Sequence, residues 1–206
     1  WADPGIFSTD ISGNGGHNTT DYLDEMGGTS ASAPMVAGVI ALMLEANSDL
    51  SWRDIQHILV RTSKKVDSSD EGWFKTYEGR DYNHQYGYGL IDATSAVNLA
   101  KEWQNVSSEV DFTGVSYNAG AVDVNQFIFD GNDLGRTSQI FVNESINIET
   151  VEVKVNISHA FRGDLNLFLE SPNGIVSELV MQSNDNSDNY DGWIFSSVVH
   201  WDENSF

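Results

Sequence analysis

The chain has 206 residues, of which 40% are hydrophobic and none is cysteine, so it can build one or two cores but no disulfide. Its formal net charge of −21 excludes nucleic acid as an expected partner and fits a basic one, although such acidity is also typical of a solvated surface. No secretory signal is visible, and the apolar run 35–44 is too short to predict a membrane span.

The first half of the chain has a mainly helical pattern. A loop and strand are predicted over residues 1–10, and the apolar run 35–44 predicts a helix too apolar to lie at a surface. Ser51 and Asp54 have the spacing of an approximate capping box for a second helix, and a third is predicted over residues 93–103. Side chains at core spacing are Ile55, Ile58 and Leu59 in the second helix and Ala96, Val97, Leu99 and Ala100 in the third.

The second half of the chain alternates apolar and polar residues. This period of two predicts strands over residues 151–157, 165–169 and 175–181. A turn is predicted at 171–174, where a proline and a glycine occupy their usual turn positions. Short strands separated by turns are typical of an antiparallel sandwich.

Ser30 stands at the start of the first predicted helix, in the sequence Gly-Thr-Ser-Ala-Ser-Ala-Pro of residues 28–34. Unpaired backbone N–H groups and the positive end of the helix dipole favour negative charge at such a position. A serine placed there can therefore act as a nucleophile. The alternative is that Ser30 only caps the helix, because serine is a preferred cap residue.

Four segments, in this order, resemble one family. Residues 28–34 resemble the nucleophile motif of the subtilisin-like serine proteases, and their Ala-Ser-Ala-Pro ending resembles the kexin/furin branch, the proprotein convertases. Residues 51–57 (Ser-Trp-Arg-Asp-Ile-Gln-His) are similar to the helix that follows the nucleophile helix in this family. Residues 84–93 (His-Gln-Tyr-Gly-Tyr-Gly-Leu-Ile-Asp-Ala) are similar to the segment that closes its catalytic domain, and residues 157–165 resemble its P domain.

The resemblance implies two domains. Residues 1–103 are expected to be the last part of an α/β, subtilisin-like catalytic domain, and residues 104–206 a jelly-roll-like, all-β P domain that is also incomplete. We expect the chain to be cut short at both ends, because only twenty-nine residues precede Ser30 and the family's P domain continues past Phe206.

The function implied by the resemblance is that of a serine endopeptidase, which cleaves polypeptides after basic or paired basic residues. Ser30 would be the acyl-enzyme nucleophile, its backbone N–H would contribute to the oxyanion hole, and Gly28 and Thr29 would shape the approach of the substrate backbone. Calcium is the expected cofactor, with ligands mostly upstream of this chain, and no residue here is assigned to a metal. The expected location is secreted, cell-surface or periplasmic. The alternative is a noncatalytic secreted binding module derived from a degenerate convertase.

The base and the orienting acid of a catalytic triad are not found ahead of Ser30. The chain contains no Asp-Thr-Gly or His-Gly-Thr sequence. His17, the only histidine before Ser30, lies in a Gly/Asn-rich segment that predicts a surface turn. The later histidines are predicted to be structural, because the family places its histidine before the serine: His57, His84, His159 and His200. The chain by itself is therefore predicted to have no peptidase activity.

Three features of the second half have both a functional and a structural interpretation. Residues 162–164 (Arg-Gly-Asp) could be an integrin ligand, but a turn with Arg and Asp paired is favoured. Residues 185–191 could bind calcium, as could Asp130 and Asp133, but an acidic solvated loop is favoured because the glycine and glutamate of an EF-hand are missing. Four aromatic residues could form a sugar-binding face but are more typical of a core: Phe161, Trp193, Phe195 and Trp201.

The first helix is expected to lack much of its usual cover. In the family it packs within a parallel sheet, most of whose strands lie outside this chain. Its large apolar side chains are therefore predicted to be largely uncovered, and the chain to be loosely packed or to aggregate. These side chains are Val39, Ile40, Leu42, Met43 and Leu44.

Overall fold

The structure is a computed structural model that describes residues 5–110, 127–128, 131, 135–142 and 144–205. The chain divides into two compact units. The first, here called the helical unit, comprises Trp1–Val66 and Gly89–Ser107. The second, here called the β unit, comprises Asp67–Tyr88 and Ser108–Phe206.

The helical unit begins with an antiparallel hairpin and continues with helices. Strands β1 (Ile6–Thr9) and β2 (Tyr22–Met26) pair in a register that places Thr9 opposite Tyr22. Helix α1 spans Thr29–Ala46, α2 spans Trp52–Thr62 and α3 spans Ala93–Glu102. All the helices expected from the sequence are present, and α1 is longer at both ends than its apolar run.

The core of the helical unit lies where α1 and α2 pack against α3. Ala96 and Ala100 are fully buried, so the packed side predicted for α3 is confirmed. Their small side chains let the backbones of neighbouring helices approach closely. The other members of the buried cluster are Met43, Leu50 and Ile58. The expectation that Met43 is uncovered was wrong, because side chains of α2 and α3 cover it.

Of the other large side chains of α1, Leu42 and Leu44 are poorly covered as expected, but Val39 and Ile40 are better covered than expected. Val39 and Ile40 are half-buried, whereas Leu42 is 50% and Leu44 38% exposed. With 18 residues, α1 is long and apolar enough to cross a membrane by length and composition alone, so the expectation based on its shorter apolar run underestimated its length. One such helix is weak evidence for a span, because the core helix of a globular protein has the same character.

Helix α2 begins with a complete capping box. The backbone N–H of Asp54 donates to the Ser51 hydroxyl, and the Ser51 backbone N–H donates to the Asp54 carboxylate. The other oxygen of Asp54 accepts hydrogen bonds from the Trp103 indole (2.9 Å) and the Val106 N–H (2.8 Å). Burial raises the pKa of Asp54, but the hydrogen bonds from Ser51, Val106 and Trp103 outweigh burial and lower it from 3.8 to about 2.

The β unit contains antiparallel strand pairs. Strands β3 (Phe74–Lys75) and β4 (Asp81–Tyr82) form a short hairpin. The longer strands are β5 (Val151–Ile157), β6 (Leu167–Glu170), β7 (Val176–Val180) and β8 (Tyr190–Ser197). Strand β5 pairs with β8 and β6 pairs with β7. The buried hydroxyls of Ser177 and Ser197 are 2.7 Å apart and link the two pairs.

Residues 198–203 form the polar centre of the β unit. Trp201 is 2% exposed, and the neighbouring His200 and Glu203 are equally buried, with Nδ1 and Oε2 3.1 Å apart. The other oxygen of Glu203 accepts from the Asn173 amide at 2.8 Å. Arg80 forms an ion pair with Asp202 at 2.6 Å. Buried polar groups are thus mostly paired with one another, as low-dielectric surroundings require.

The proposed domain boundary at residue 103 stays a prediction. The compact units follow a different division, because residues 67–88 pack in the β unit although they precede α3 in the chain. The Tyr88 hydroxyl donates to the carbonyl of Val198 at 2.6 Å, and burial raises the pKa of this phenol. The division into compact units therefore does not by itself locate the boundary between the catalytic domain and the P domain.

Candidate active site

Ser30 is an exposed residue in the first turn of α1, not its cap. The N-cap is Gly28, whose φ of 83° lies in the left-handed region, and it makes no side-chain cap hydrogen bond. A Cβ at this position would meet no atom within 4 Å, so the backbone conformation rather than crowding requires glycine. The alternative that Ser30 only caps the helix therefore does not fit the structure.

The first turn of α1 leaves several backbone groups unpaired. The Ala31 N–H donates to the Gly28 carbonyl at 3.1 Å, whereas helix geometry leaves the N–H groups of Thr29 and Ser30 without an intrahelical acceptor. Pro34 has no N–H, so it cannot donate to the Ser30 carbonyl one turn earlier. The serine thus lies beside free N–H groups at the positive end of a long helix, where a developing oxyanion is stabilised.

The hairpin that leads into this turn is held by Asp10. Its carboxylate accepts hydrogen bonds from the backbone N–H groups of Asn18 and Ile11, both at 2.8 Å. The Asn18 hydrogen bond, followed by that from Ile11, lowers the pKa of Asp10. Strand β2 then ends at Met26, and a short glycine pair brings the chain to Thr29. The hydrogen-bonded hairpin and the two-residue connection after β2 therefore lead directly into the first turn of α1.

The histidines have the structural surroundings predicted for them. His17 is exposed in a bend, and His57 is buried with its ring centroid 6.1 Å from that of Trp103. His84 packs on Phe74 and Tyr82. The Nδ1 atom of His159 is 2.7 Å from the Phe161 carbonyl, and His200 pairs with Glu203 as described above.

The calcium hypotheses for the second half gain no support. Within the described residues, no group of three or more His, Cys, Asp or Glu side chains could hold a metal ion. Asp185 is engaged elsewhere, because it accepts from the Ser187 N–H (2.9 Å) and the Arg162 guanidinium (2.7 Å). The Ser187 and Arg162 hydrogen bonds lower its pKa to about 2. Asp130 and Asp133 lie outside the described residues.

The Arg-Gly-Asp sequence forms a turn, as predicted, but not through its own charges. Residues Arg162–Asp164 form a single 3-10 turn between β5 and β6. Arg162 pairs with Asp185 rather than Asp164, and its guanidinium lies 4.6 Å from the ring centroid of Trp193. The predicted pairing of Arg162 with Asp164 was therefore wrong, because a carboxylate from a distant loop and an aromatic face compete for the same cation.

The four aromatic residues of the second half divide between core and surface. Trp201 is buried and Phe195 half-buried, in agreement with a core position. Phe161 is 50% and Trp193 42% exposed, so for these two the core interpretation was wrong. Trp193 is covered on one face by Arg162, which gives it a structural contact without burial.

Asp54 has a second structural role that its sequence context does not predict. Its place in a capping box is local and visible, but its hydrogen bonds to Trp103 and Val106 span about fifty residues. The Arg53 guanidinium also donates to the Ser107 carbonyl at 2.6 Å. No local sequence signal marks such contacts, because they depend on how α2 and α3 pack.

Two family matches cover most of the chain. Residues 4–89 match the Subtilase family, and residues 148–206 match the Proprotein convertase P-domain. The first match includes Ser30 and all of α1 and α2, and the second includes β5 to β8. The class defined by fold and site is thus a subtilisin-like protease segment followed by a P domain.

Curated relatives have the same combination. The dibasic-processing endoprotease of Yarrowia lipolytica is 36% identical over 86% of this chain and 18% of its own length. Human proprotein convertase subtilisin/kexin type 4 is 36% identical over 98% of this chain and 26% of its own. Furin-like protease 1 of Drosophila melanogaster is 40% identical over 85% of this chain and 16% of its own. The chain belongs to the kexin- and furin-type proprotein convertases of the subtilisin-like serine proteases.

A solved structure has the same fold. The serine protease of Aeromonas sobria, in complex with its chaperone, superposes with a TM-score of 0.82 over 98% of this chain and 42% of the protease chain. Sequence identity is 23%, so this likeness concerns the fold alone. The predicted fold class, an α/β segment followed by a β domain, is confirmed.

Proposed function

We propose that a full-length protein containing this chain is a serine endopeptidase with Ser30 as its nucleophile. The observation that carries the proposal is the position of Ser30, exposed in the first turn of α1 and preceded by a left-handed Gly28 cap, within the match to the Subtilase family. This chain spans less than a third of each curated relative described above, so the activity is proposed for the longer protein.

The position of these residues at the start of α1 supports the following proposed roles in the reaction. The Ser30 hydroxyl attacks the scissile carbonyl, and its backbone N–H donates to the developing oxyanion. The peptide C–N bond then breaks, the amine leaves with a proton, and the acyl-enzyme remains on Ser30. Gly28 leaves open space beside the cap, where a substrate backbone can approach. A histidine takes the serine proton and an aspartate orients that histidine, and the resemblance places both before Ser30.

The proposed substrate is a polypeptide with a basic or paired basic cleavage site. The name of the Yarrowia lipolytica relative, a dibasic-processing endoprotease, supports this class. The net charge of −21 is compatible with it, because an acidic enzyme attracts a basic peptide. A secreted or cell-surface location and calcium dependence are proposed on the same family grounds. The described residues offer no calcium cluster, and no step of the reaction is assigned to the ion.

The proposal is tested with the full-length protein and a fluorogenic dibasic peptide. Ser30→Ala is expected to reduce kcat by roughly a thousandfold or more without changing the fold, because the nucleophile is lost. Ser32→Ala is the matched control, since Ser32 is exposed on the same turn region, and should keep activity within about twofold. Equal losses in the two variants, or none in Ser30→Ala, would show that Ser30 is not the nucleophile.

The 206-residue chain alone is proposed to be inactive on the same peptide. Without a base, a partial oxyanion hole leaves a rate orders of magnitude below that of an intact enzyme. Turnover by the purified chain that disappears in Ser30→Ala would contradict this proposal.

A further inference from the structure

The segment between α2 and the β unit contains a dibasic sequence. Lys64-Lys65 is the one adjacent pair among the ten lysines and arginines of the chain. It follows α2, which ends at Thr62, and stands just before Val66, where the first segment of the helical unit ends. The Lys64 side chain is 69% exposed. In sequence and in side-chain exposure, this segment has the chemistry of a dibasic substrate.

The backbone N–H and carbonyl of Lys64 are nevertheless both hydrogen-bonded within the protein. The N–H of Lys64 donates to the carbonyl of Leu90, and the N–H of Leu90 donates to the carbonyl of Lys64, both at 2.8 Å. Gly89 packs directly on this pair, since a Cβ there would stand 2.2 Å from the Lys64 carbonyl oxygen. The Lys64 ammonium also forms an ion pair with Asp92. We call this set of contacts to Gly89, Leu90 and Asp92 the clasp.

The clasp opposes cleavage because an endoprotease binds its substrate as an extended strand whose backbone groups are free to pair with the enzyme. Lys64 cannot offer its N–H and carbonyl while Leu90 holds both. Cleavage of a folded protein then depends on the fraction of molecules in which the segment is open. Weakening the clasp raises that fraction without altering the basic side chains that a protease recognises.

We propose that Lys64-Lys65 is a latent dibasic cleavage site, kept closed by the clasp and cut after Lys65 when the clasp opens. The reaction is hydrolysis: water adds across the Lys65–Val66 peptide bond and leaves a carboxylate on Lys65 and an amine on Val66. If the full-length enzyme itself makes this cut, the inference rests on the dibasic specificity proposed for that enzyme. Cutting there would separate α1 and α2 from α3, which supplies part of their core.

The test uses the purified 206-residue chain and an added kexin-type endoprotease whose dibasic specificity has been measured independently. Failure of the proposed function for this chain's own enzyme therefore does not affect the result. A synthetic peptide of residues 59–70, which has no clasp, is the reference substrate and is expected to be cut after Lys65. The wild-type chain is expected to be cut much more slowly, with fragments 1–65 and 66–206 as products.

Two variants weaken the clasp by different means. Asp92→Asn removes the ion pair but keeps the cap of α3, because asparagine is as good an N-cap as aspartate and Asp92 caps by accepting from the Ser95 N–H. It should raise the cleavage rate about two- to fivefold, as loss of a partly exposed ion pair does. Gly89→Ala forces a Cβ onto the Lys64 carbonyl at a φ of 110° and should raise the rate tenfold or more.

Matched controls separate local opening from general destabilisation. Gly79→Ala introduces the same kind of strain at a φ of 74° away from the clasp and should leave the rate unchanged. Lys65→Ala, combined with Asp92→Asn, should abolish the cut. A second protease that cleaves after every lysine and arginine should cut the variants first at residues 61–65, and not at Lys101 or Lys154.

The proposal fails if the peptide is not cut after Lys65. It also fails if neither Asp92→Asn nor Gly89→Ala is cut faster than the wild-type chain. Early cleavage at Lys101 and Lys154 in both variants would show global unfolding in place of a clasp.

Discussion

Helices α1 and α2 follow one another in the chain but are stabilised in different ways. Helix α1 has 18 residues, a glycine cap without a side-chain hydrogen bond, and no acidic residue in its first turn or basic residue in its last. Helix α2 has 11 residues, a capping box, Asp54 in its first turn and Arg61 in its last. Only Ala31 and Met43 are buried in α1, although it is the more apolar helix.

The difference reflects two ways of stabilising a helix. A helix that is apolar on all sides is stabilised mainly by packing in a surrounding core, and depends little on N-caps or on charges at its ends. An amphipathic helix at a surface depends more on caps and end charges, each worth about 0.3–2 kcal/mol. The N-terminus of α1 has no side-chain cap hydrogen bond, whereas Ser51 and Asp54 form a capping box at the N-terminus of α2. Four predictions probe this difference.

The largest expected effect concerns the one large side chain of α1 that is covered. Met43→Ala should lower the free energy of unfolding by about 2–5 kcal/mol, because it opens a cavity among Leu50, Ile58 and the alanines of α3. Met35→Ala is the matched control on the same helix and should cost less than about 0.5 kcal/mol, since Met35 is 64% exposed. Urea unfolding of the isolated chain measures both. Similar losses for the two would mean that α1 is covered evenly.

The next effect tests the local support of α2. Asp54→Ala should cost about 2–3 kcal/mol, because it breaks the capping box and leaves the half-buried Trp103 indole and Val106 N–H without this acceptor. Asp49→Ala, an exposed aspartate before the same helix, should change stability by less than about 0.5 kcal/mol. Thermal unfolding followed by far-UV circular dichroism compares them. If both variants behave alike, Asp54 is not the anchor that the structure indicates.

A third effect concerns pH. Asp54 has a pKa of about 2 in the folded chain against 3.8 ordinarily, so its carboxylate stabilises the fold above about pH 4. That contribution, about 2 kcal/mol by linkage, should be lost progressively as the pH falls from about 4 to 2. Urea unfolding of the wild-type chain and Asp54→Asn across this window gives the difference. An unchanged difference between pH 5 and pH 2 would contradict the low pKa.

The smallest expected effect on stability comes from the uncovered side of α1. Leu42 and Leu44 should bind a hydrophobic dye in the isolated chain, because they are half-exposed beside other apolar side chains. Leu42→Gln with Leu44→Gln should reduce dye fluorescence severalfold while changing the unfolding free energy by less than about 1 kcal/mol. Trp52→Gln on α2 should reduce the dye fluorescence less, since it removes only one exposed apolar side chain. Unchanged fluorescence in the leucine variant would place the dye elsewhere.

Features that depend on contacts between residues close in the chain could be predicted from the sequence, whereas features that depend on distant segments could not. The capping box of α2, the packed side of α3 and the alternation of β5 depend on neighbours in the chain and were predicted correctly. The cover of Met43 and the pairing of Arg162 with Asp185 depend on contacts between distant segments, and both were predicted wrongly. At the candidate site, the sequence motif predicted Ser30, whereas only the helix bounds show that Pro34 lies one turn after Ser30 inside the helix, where it has no N–H to donate to the Ser30 carbonyl.

The most direct test of the account is to label Ser30 with a serine-directed fluorophosphonate. In the full-length protein, we predict one adduct per molecule, located by peptide mapping on the segment of residues 28–34 and absent in Ser30→Ala. In the chain of 206 residues alone, we predict no adduct, because an unactivated serine hydroxyl is a weak nucleophile. An adduct on a different serine of the full-length protein, or no adduct at all, would contradict the assignment of Ser30 as the nucleophile.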